Sequence, residues 1–351
     1  MKIAVIGDKL VKQEIYEEVL RQHLDFVPDL KIEGFPVEWP DIPLQNGPEV
    51  KEFVGSEDEI IALIKDAEIF LTNVAPVTEK ILRAALKLKI IGCSRGGPVN
   101  INIAAATRRG IPVFYTPGRN APVVAEFTIG MILAEILNIA RAHAALIKGT
   151  WRGDFYIYEK TGFELEGKIA GVIGLGAVGQ RVARLLKSFN MKVLAFDPHV
   201  NDEVFSKCGV ERVPLERLLK EADIVTLHAR LTPETTKMIN GTTLALMKPT
   251  AYFINTARGG LVDYPALYQV LKAKRIAGAA LDVFEEEPLP DNSLLFSLDN
   301  VTITPHIGGA SRETAFRSAD ILVAEIKKYL LGQPVQYCQN SEVLQSAIEA
   351  S

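Results

Sequence analysis

Residues 168–180 read KIAGVIGLGAVGQ, and the fold turns on how this stretch is read. An apolar run meets three glycines spaced GxGxxG, and an amphipathic stretch carrying Val182, Leu185, Leu186 and Phe189 follows. Strand, tight turn and helix give each glycine a reason to lack a side chain. Gly174 permits the turn, Gly176 lets backbone approach a pyrophosphate, and Gly179 lets helix and strand pack closely, while the helix start offers N–H groups to an anion. Ala177 and Val178 line the same turn. Asp197 ends the next apolar run, KVLAFD, 18 residues after Gly179. A carboxylate there accepts hydrogen bonds from ribose hydroxyls and repels a 2′-phosphate. No arginine stands at 197–200 to receive such a phosphate, so the cofactor read from this stretch is NAD.

A similar run, KIAVIG, occupies residues 2–7, but after Gly7 the next glycine is Gly34. That spacing cannot build the same loop. The first run reads as a core strand followed by a surface helix, so one dinucleotide site is expected.

Outward from 168–180, short apolar runs alternate with amphipathic stretches, the pattern of a parallel sheet. Strands are expected at 2–6, 69–72, 89–92 and 112–116, then at 169–174, 192–197, 223–228, 251–256, 276–282 and 301–305. A helix over 101–110 ends at Gly110. Residues 123–149 are apolar on nearly every side and read as one long buried helix. An aperiodic aromatic and charged loop fills 151–166, and a last amphipathic helix covers 312–332, ahead of a polar tail. That helix lies too far past the sixth strand to belong simply to the second sheet. The fold class is α/β with two doubly wound domains, a Rossmann NAD-binding domain at 121–305 inserted in a flavodoxin-like substrate domain formed by 1–120 and 306–351.

At 351 residues the chain needs roughly two hydrophobic cores. Basic residues number 39 and acidic 43, without a run of either sign, which argues against nucleic acid and anionic membranes and for a small-molecule partner. The three cysteines, Cys93, Cys208 and Cys338, lack zinc or redox spacing, so a reducing, cytoplasmic compartment is expected. The five histidines show no metal-ligand spacing, and no metal is expected. No exported leader, membrane span or appended regulatory domain is expected either.

Three segments fall at the ends of late strands, where open parallel sheets hold ligands: NTARGGLVD at 255–263, LDVFEEEP at 281–288 and TPHIGG at 304–309. They bring together a guanidinium, a carboxylate and an imidazole. Hydride transfer on a 2-hydroxy acid needs an anion clamp, a proton carrier and a group that tunes it.

With AAATRRGIPVFYTPGRNAPVVAEFT, GKIAGVIGLGAVGQ, LHARLTPETTKMIN, FINTARGGLVD, ALDVFEEEP and TPHIGG in that order, residues 60–335 resemble the D-isomer-specific 2-hydroxyacid dehydrogenase family. The resemblance implies that Arg258 binds the substrate carboxylate, His306 exchanges a proton with the substrate oxygen, and Glu287 hydrogen-bonds His306. It implies that Asp282 accepts from the nicotinamide carboxamide and that His228, Thr256, Ala257, Arg258, His306, Gly308 and Gly309 line the cofactor. It also implies a homodimer formed through the inserted domain and the helix before it.

The chain departs from the family at 92–107, GCSRGGPVNINIAAAT. This loop usually presents backbone N–H groups to the substrate carboxylate. Arg95, Gly96 and Gly97 are therefore substrate candidates, and Arg95 suggests a substrate with a second anionic group, such as 3-phosphoglycerate. A glyoxylate or hydroxypyruvate reductase is the alternative within the class. An NAD-sensing binding protein of the corepressor type is the alternative outside it. Formate oxidation is disfavoured because Glu287 stands where that chemistry uses glutamine.

Overall fold

A computed structural model describes residues 1–344 of the chain; the end of the polar tail lies outside the described residues. The chain divides into two compact units, Met1–Arg119 with Ala310–Ser351, and Asn120–Gly309. The return to the first unit falls at Ala310, a few residues later than the sequence suggests, so His306, Gly308 and Gly309 belong to the second unit.

The first unit holds β1 (Lys2–Gly7), β2 (Lys31–Pro36), β3 (Ile69–Thr72), β4 (Ile90–Cys93) and β5 (Val113–Tyr115). They pair in parallel in the order β2-β1-β3-β4-β5. The order reverses between β1 and β3, which is where such a sheet opens toward a ligand. Here the opening is closed by Asp8 and Asn73, which follow those strands and join through a 2.7 Å hydrogen bond. On one face of the sheet Tyr16, Val19 and Leu20 of the helix Gln13–His23 pack with Leu322, Val323 and Ile326 of the last helix, Arg312–Leu330. The helix Arg312–Leu330 thus covers the sheet that β1 begins.

The sequence does not announce strand β2. It is an edge strand of mixed exposure, so KIEGFP carries no apolar run to announce it. Gly34 is its one local sign, since a Cβ there would lie 2.0 Å from the Val5 carbonyl oxygen.

The second unit holds β6 (Ile169–Ile173), β7 (Lys192–Phe196), β8 (Glu211–Arg212), β9 (Ile224–Leu227), β10 (Tyr252–Asn255), β11 (Gly278–Leu281) and β12 (Val301–Ile303). All pairs are parallel, in the order β12-β11-β10-β9-β6-β7-β8. The reversal lies between β6 and β9, where the glycine-rich turn leaves the sheet. The two-residue β8 at the edge is again a strand the sequence does not announce.

The long helix expected over 123–149 is two helices, Ala121–Ile136 and Ile139–Leu146, bent by 67°. Asn138 takes a left-handed φ of 58° at the break. The bend is organised by Glu135, fully buried, whose carboxylate accepts two bonds from Arg141 (2.8 and 2.9 Å) and one from the Thr302 hydroxyl (2.6 Å). The first helix is core on several sides, while the second buries no residue. Among the described residues no single helix is long and apolar enough to cross a membrane.

Candidate active site

The turn after β6 has three glycines with three different constraints. Gly174 takes φ 91°, and a Cβ there would sit 2.7 Å from the Ala229 nitrogen. A Cβ on Gly179 would sit 2.0 Å from the Gly174 carbonyl oxygen. Around Gly176 a Cβ would meet nothing within 4 Å. Two positions are closed by the protein's own backbone, and the middle one faces open space. The helix Ala177–Ser188 starts at that point with no side-chain cap, which leaves its positive end for an anion. Asp197, at the end of β7, accepts from the Leu175 N–H (2.7 Å) and from the His199 N–H (2.8 Å). These features fit a dinucleotide, with its pyrophosphate at Gly176 and its ribose beside Asp197.

His228 follows β9 beside the Gly174 turn. Burial pushes its imidazole down to about 3, so the ring is neutral, with Nε2 2.9 Å from the Thr226 hydroxyl. Thr256 follows β10 and exchanges a 2.7 Å hydrogen bond with Thr128. The Ala257 N–H donates to Asn255 Oδ1 (3.0 Å), whose amide in turn donates to the Arg258 carbonyl (3.1 Å). Asn255 therefore shapes the loop that presents Arg258, a positioning residue that motif reading missed. The Arg258 side chain is exposed, with Nη1 donating to the Ala257 carbonyl (2.7 Å).

The next loop lies directly behind this one. A Cβ on Gly259 would come within 1.9 Å of the Phe284 carbonyl oxygen, so only glycine lets the two loops stack. From the second loop Glu287 reaches His306: Oε2 lies 2.6 Å from Nδ1, while Oε1 accepts the Phe284 N–H at 2.8 Å. Burial alone would push Glu287 upward. The hydrogen bond and attraction of His306, the Phe284 N–H and the Arg258 charge outweigh it and hold the carboxyl below the usual carboxylate range. Because the carboxylate accepts at Nδ1, the other ring nitrogen, Nε2, is left to carry protons.

His306 has a left-handed φ of 54°. Asp282 holds it there. The buried carboxylate accepts from the Thr304 hydroxyl (2.6 Å), the Ile307 N–H (3.0 Å) and the Gly308 N–H (2.8 Å). The resemblance points Asp282 at a nicotinamide. In the structure both of its oxygens accept from donors of the 304–308 turn. Gly308 and Gly309 complete the turn at close quarters, where a Cβ would meet Asp282 and Phe127 (both 2.9 Å) or Asn120 (2.8 Å). Among the described residues no group of three His, Cys, Asp or Glu side chains is placed to hold a metal ion.

In the first unit, Arg95, Gly96 and Gly97 follow β4. Gly97 borders open space. Arg95 is not a free cation: Nη1 donates to the Glu52 carbonyl (2.9 Å) and Nη2 to the Glu52 carboxylate. Nearby, Tyr16 hydrogen-bonds Ser94, and Arg119 donates to the Ser318 hydroxyl at 2.8 Å. Arg119 was also missed by motif reading. Burial and the Arg95 charge lower its pKa, while Tyr16, Cys93 and Asp8 support its charge.

A family model described as D-isomer specific 2-hydroxyacid dehydrogenase, NAD binding domain, matches residues 129–308. The D-3-phosphoglycerate dehydrogenase of Methanocaldococcus jannaschii is 45% identical over 281 residues, which cover 79% of this chain and 52% of that protein. The chain thus spans about half the length of the phosphoglycerate dehydrogenases it matches. The glyoxylate reductase of Thermofilum pendens is 41% identical over 84% of this chain and 88% of its own length. Among solved structures, the apo D-lactate dehydrogenase of Escherichia coli matches with a TM-score of 0.76 and 27% identity, covering 97% of this chain and 100% of that one.

Proposed function

Since the chain belongs to the D-isomer specific 2-hydroxyacid dehydrogenase family and its second unit is an NAD-binding domain, we propose that it interconverts a D-2-hydroxy acid and its 2-keto acid. The observation that carries this reading is the 2.6 Å contact between Glu287 and His306 Nδ1, set on a turn built for it by Asp282. NAD bound at the Gly174–Gly179 turn supplies the hydride acceptor or donor at C2. His306 Nε2 gives a proton to the keto oxygen in reduction and takes it from the hydroxyl in oxidation. Glu287 keeps the ring oriented and stabilises its charged form. Arg258 clamps the substrate carboxylate. Thr256, Ala257 and neutral His228 line the nicotinamide side, and the 94–97 loop of the first unit is the further substrate element.

Asp197 favours NAD over NADP, although Arg230, exposed after β9, gives a 2′-phosphate one possible partner. A second copy of the chain is the proposed protein partner. Leu137, Ile139, Leu146, Ile147, Trp151 and Tyr156 are all large, apolar and exposed within a short stretch, the surface that a homodimer would cover. Three unpaired thiols suit a reducing cytoplasm.

The test is NADH and NADPH oxidation over a panel of 2-keto acids, with His306→Ala in parallel. Turnover in that variant should fall by about 10² to 10⁴ while NADH still binds. Unchanged turnover refutes the assignment. A chain that binds NADH tightly yet reduces no keto acid is a sensor.

A further inference from the structure

Arg95 raises the question of what a substrate meets beyond its reacting carbon. It stands at the carboxyl end of β4, where a parallel sheet presents ligand-binding groups, next to the open space at Gly97. A lone arginine there would invite a phosphate. This arginine is already matched, because Glu52 offers it both a backbone carbonyl and a carboxylate.

The arrangement is built rather than casual. Glu52 takes φ 50°, a left-handed backbone that residues with a Cβ rarely adopt. Its neighbours hold it in that shape. The Lys51 N–H donates to Val99 of the Arg95 loop (2.9 Å), the Glu52 N–H donates to Asn46 Oδ1 (3.1 Å), and Phe53 exchanges backbone hydrogen bonds with Gln45 (2.8 and 3.0 Å). Strain kept in place by so many contacts points to a use for the side chain it positions. The Arg95 side chain is 14% exposed and that of Glu52 40%. What faces solvent is therefore mainly the Glu52 side chain, whose Oε2 is the oxygen that meets Arg95. Such a group welcomes a hydroxyl donor and repels a phosphate dianion, while the guanidinium beside it donates to hydroxyl oxygens.

We infer that the Arg95–Glu52 pair reads the substrate tail and selects an uncharged, hydroxyl-bearing 2-hydroxy acid over a phosphorylated one. This rests on the dehydrogenase reading above, and it reverses the preference that Arg95 suggests in the sequence alone. Glu52 is a specificity-determining residue that meets the substrate tail directly, beside Arg95, and takes no part in the chemistry.

The experiment compares kcat/KM for hydroxypyruvate and 3-phosphohydroxypyruvate, with NADH, in the full chain and in Glu52→Gln and Glu52→Gly. Glutamine removes only the charge, while glycine removes the whole side chain but accepts the left-handed backbone and keeps the carbonyl that Arg95 uses. The unmodified chain should favour hydroxypyruvate by about tenfold or more, and both variants should move the ratio about tenfold toward the phosphorylated acid, more at low ionic strength. A merely structural Glu52 would lower both rates together and leave the ratio alone. Preference of the unmodified chain for the phosphorylated acid, or an unmoved ratio in both variants, overturns the inference. If neither acid is reduced, the dehydrogenase reading is what fails. The same ratio is then read from calorimetric binding of the two acids to the NADH-loaded protein, with the same outcomes deciding.

Discussion

The turns that leave β1 and β6 begin from nearly the same strand, KIAVIG and KIAGVIG, and end in opposite chemistry. After β1, Asp8 folds its own carboxylate over the turn and takes the Leu10 and Val11 N–H groups (2.8 and 2.7 Å) and the Asn73 amide (2.7 Å). After β6, Asp197 from the end of β7 takes the Leu175 N–H (2.7 Å), but Gly176 borders open space at the start of a helix with no side-chain cap. The first turn carries its anion within the chain, and the second leaves the place for one. A dinucleotide site is thus distinguished from its look-alike by whether the start of the helix after the turn is left open, rather than by the strand that leads into it.

The glycines of the second turn give the sharpest break. Gly179→Ala drives a Cβ against the Gly174 carbonyl oxygen at 2.0 Å, and it should cost about 1–3 kcal/mol or more of stability together with NADH binding. Gly176→Ala places the same group in open space at a β-region φ of −76°. It should leave the melting temperature near that of the parent and weaken NADH by about tenfold, since its methyl stands where the pyrophosphate approaches. Equal behaviour of the two variants, in melting and in fluorescence titration, would remove the distinction between packing and ligand glycines.

Asp8→Ala is the counterpart in the first turn. Three donors, two of them buried, lose their acceptor, so urea unfolding should show a loss of about 1–3 kcal/mol, with NADH affinity unmoved. A change in NADH affinity would mean that this turn also serves the cofactor. Burial, opposed by those donors, raises the Asp8 pKa. A raised carboxyl contributes stability that is whole below its unfolded pKa and is lost as pH rises through the folded pKa.

The remaining effect, seen only in acid, concerns His228. Its folded pKa is pushed down to about 3 from 6.5, so the unfolded chain binds the extra proton as pH falls below 6.5 and stability drops with acid. At pH 5 the loss is about 2 kcal/mol, being 1.5 pH units at about 1.4 kcal/mol each. His228→Asn should lose correspondingly less between pH 7.5 and pH 5 in chemical denaturation. Parallel pH profiles would show that the ring is not buried in the neutral form.

Much of this was legible in the sequence because core strands and glycine turns are local. Strands β1, β3 and β4 are wholly or nearly apolar and announce themselves, whereas β2 and β8 sit at edges, where exposure allows polar residues. The 123–149 stretch reads as one helix because an apolar run looks alike whether its residues are buried, as in Ala121–Ile136, or left on a surface, as in Ile139–Leu146. In the site, Arg258, Glu287 and His306 stand in motifs. The groups that hold them do not: Gly259 is required by a carbonyl 25 residues later, and Arg95 is neutralised by Glu52, 43 residues earlier. Tertiary approach of this kind has no period and no spacing to read.

The most direct measurement is calorimetric titration of the full chain with NADH. One molecule bound per chain, lost in Gly179→Ala and kept in Asp8→Ala, is the predicted result. Two molecules per chain, or one that survives Gly179→Ala and disappears with Asp8→Ala, would contradict the assignment of the site to the second turn.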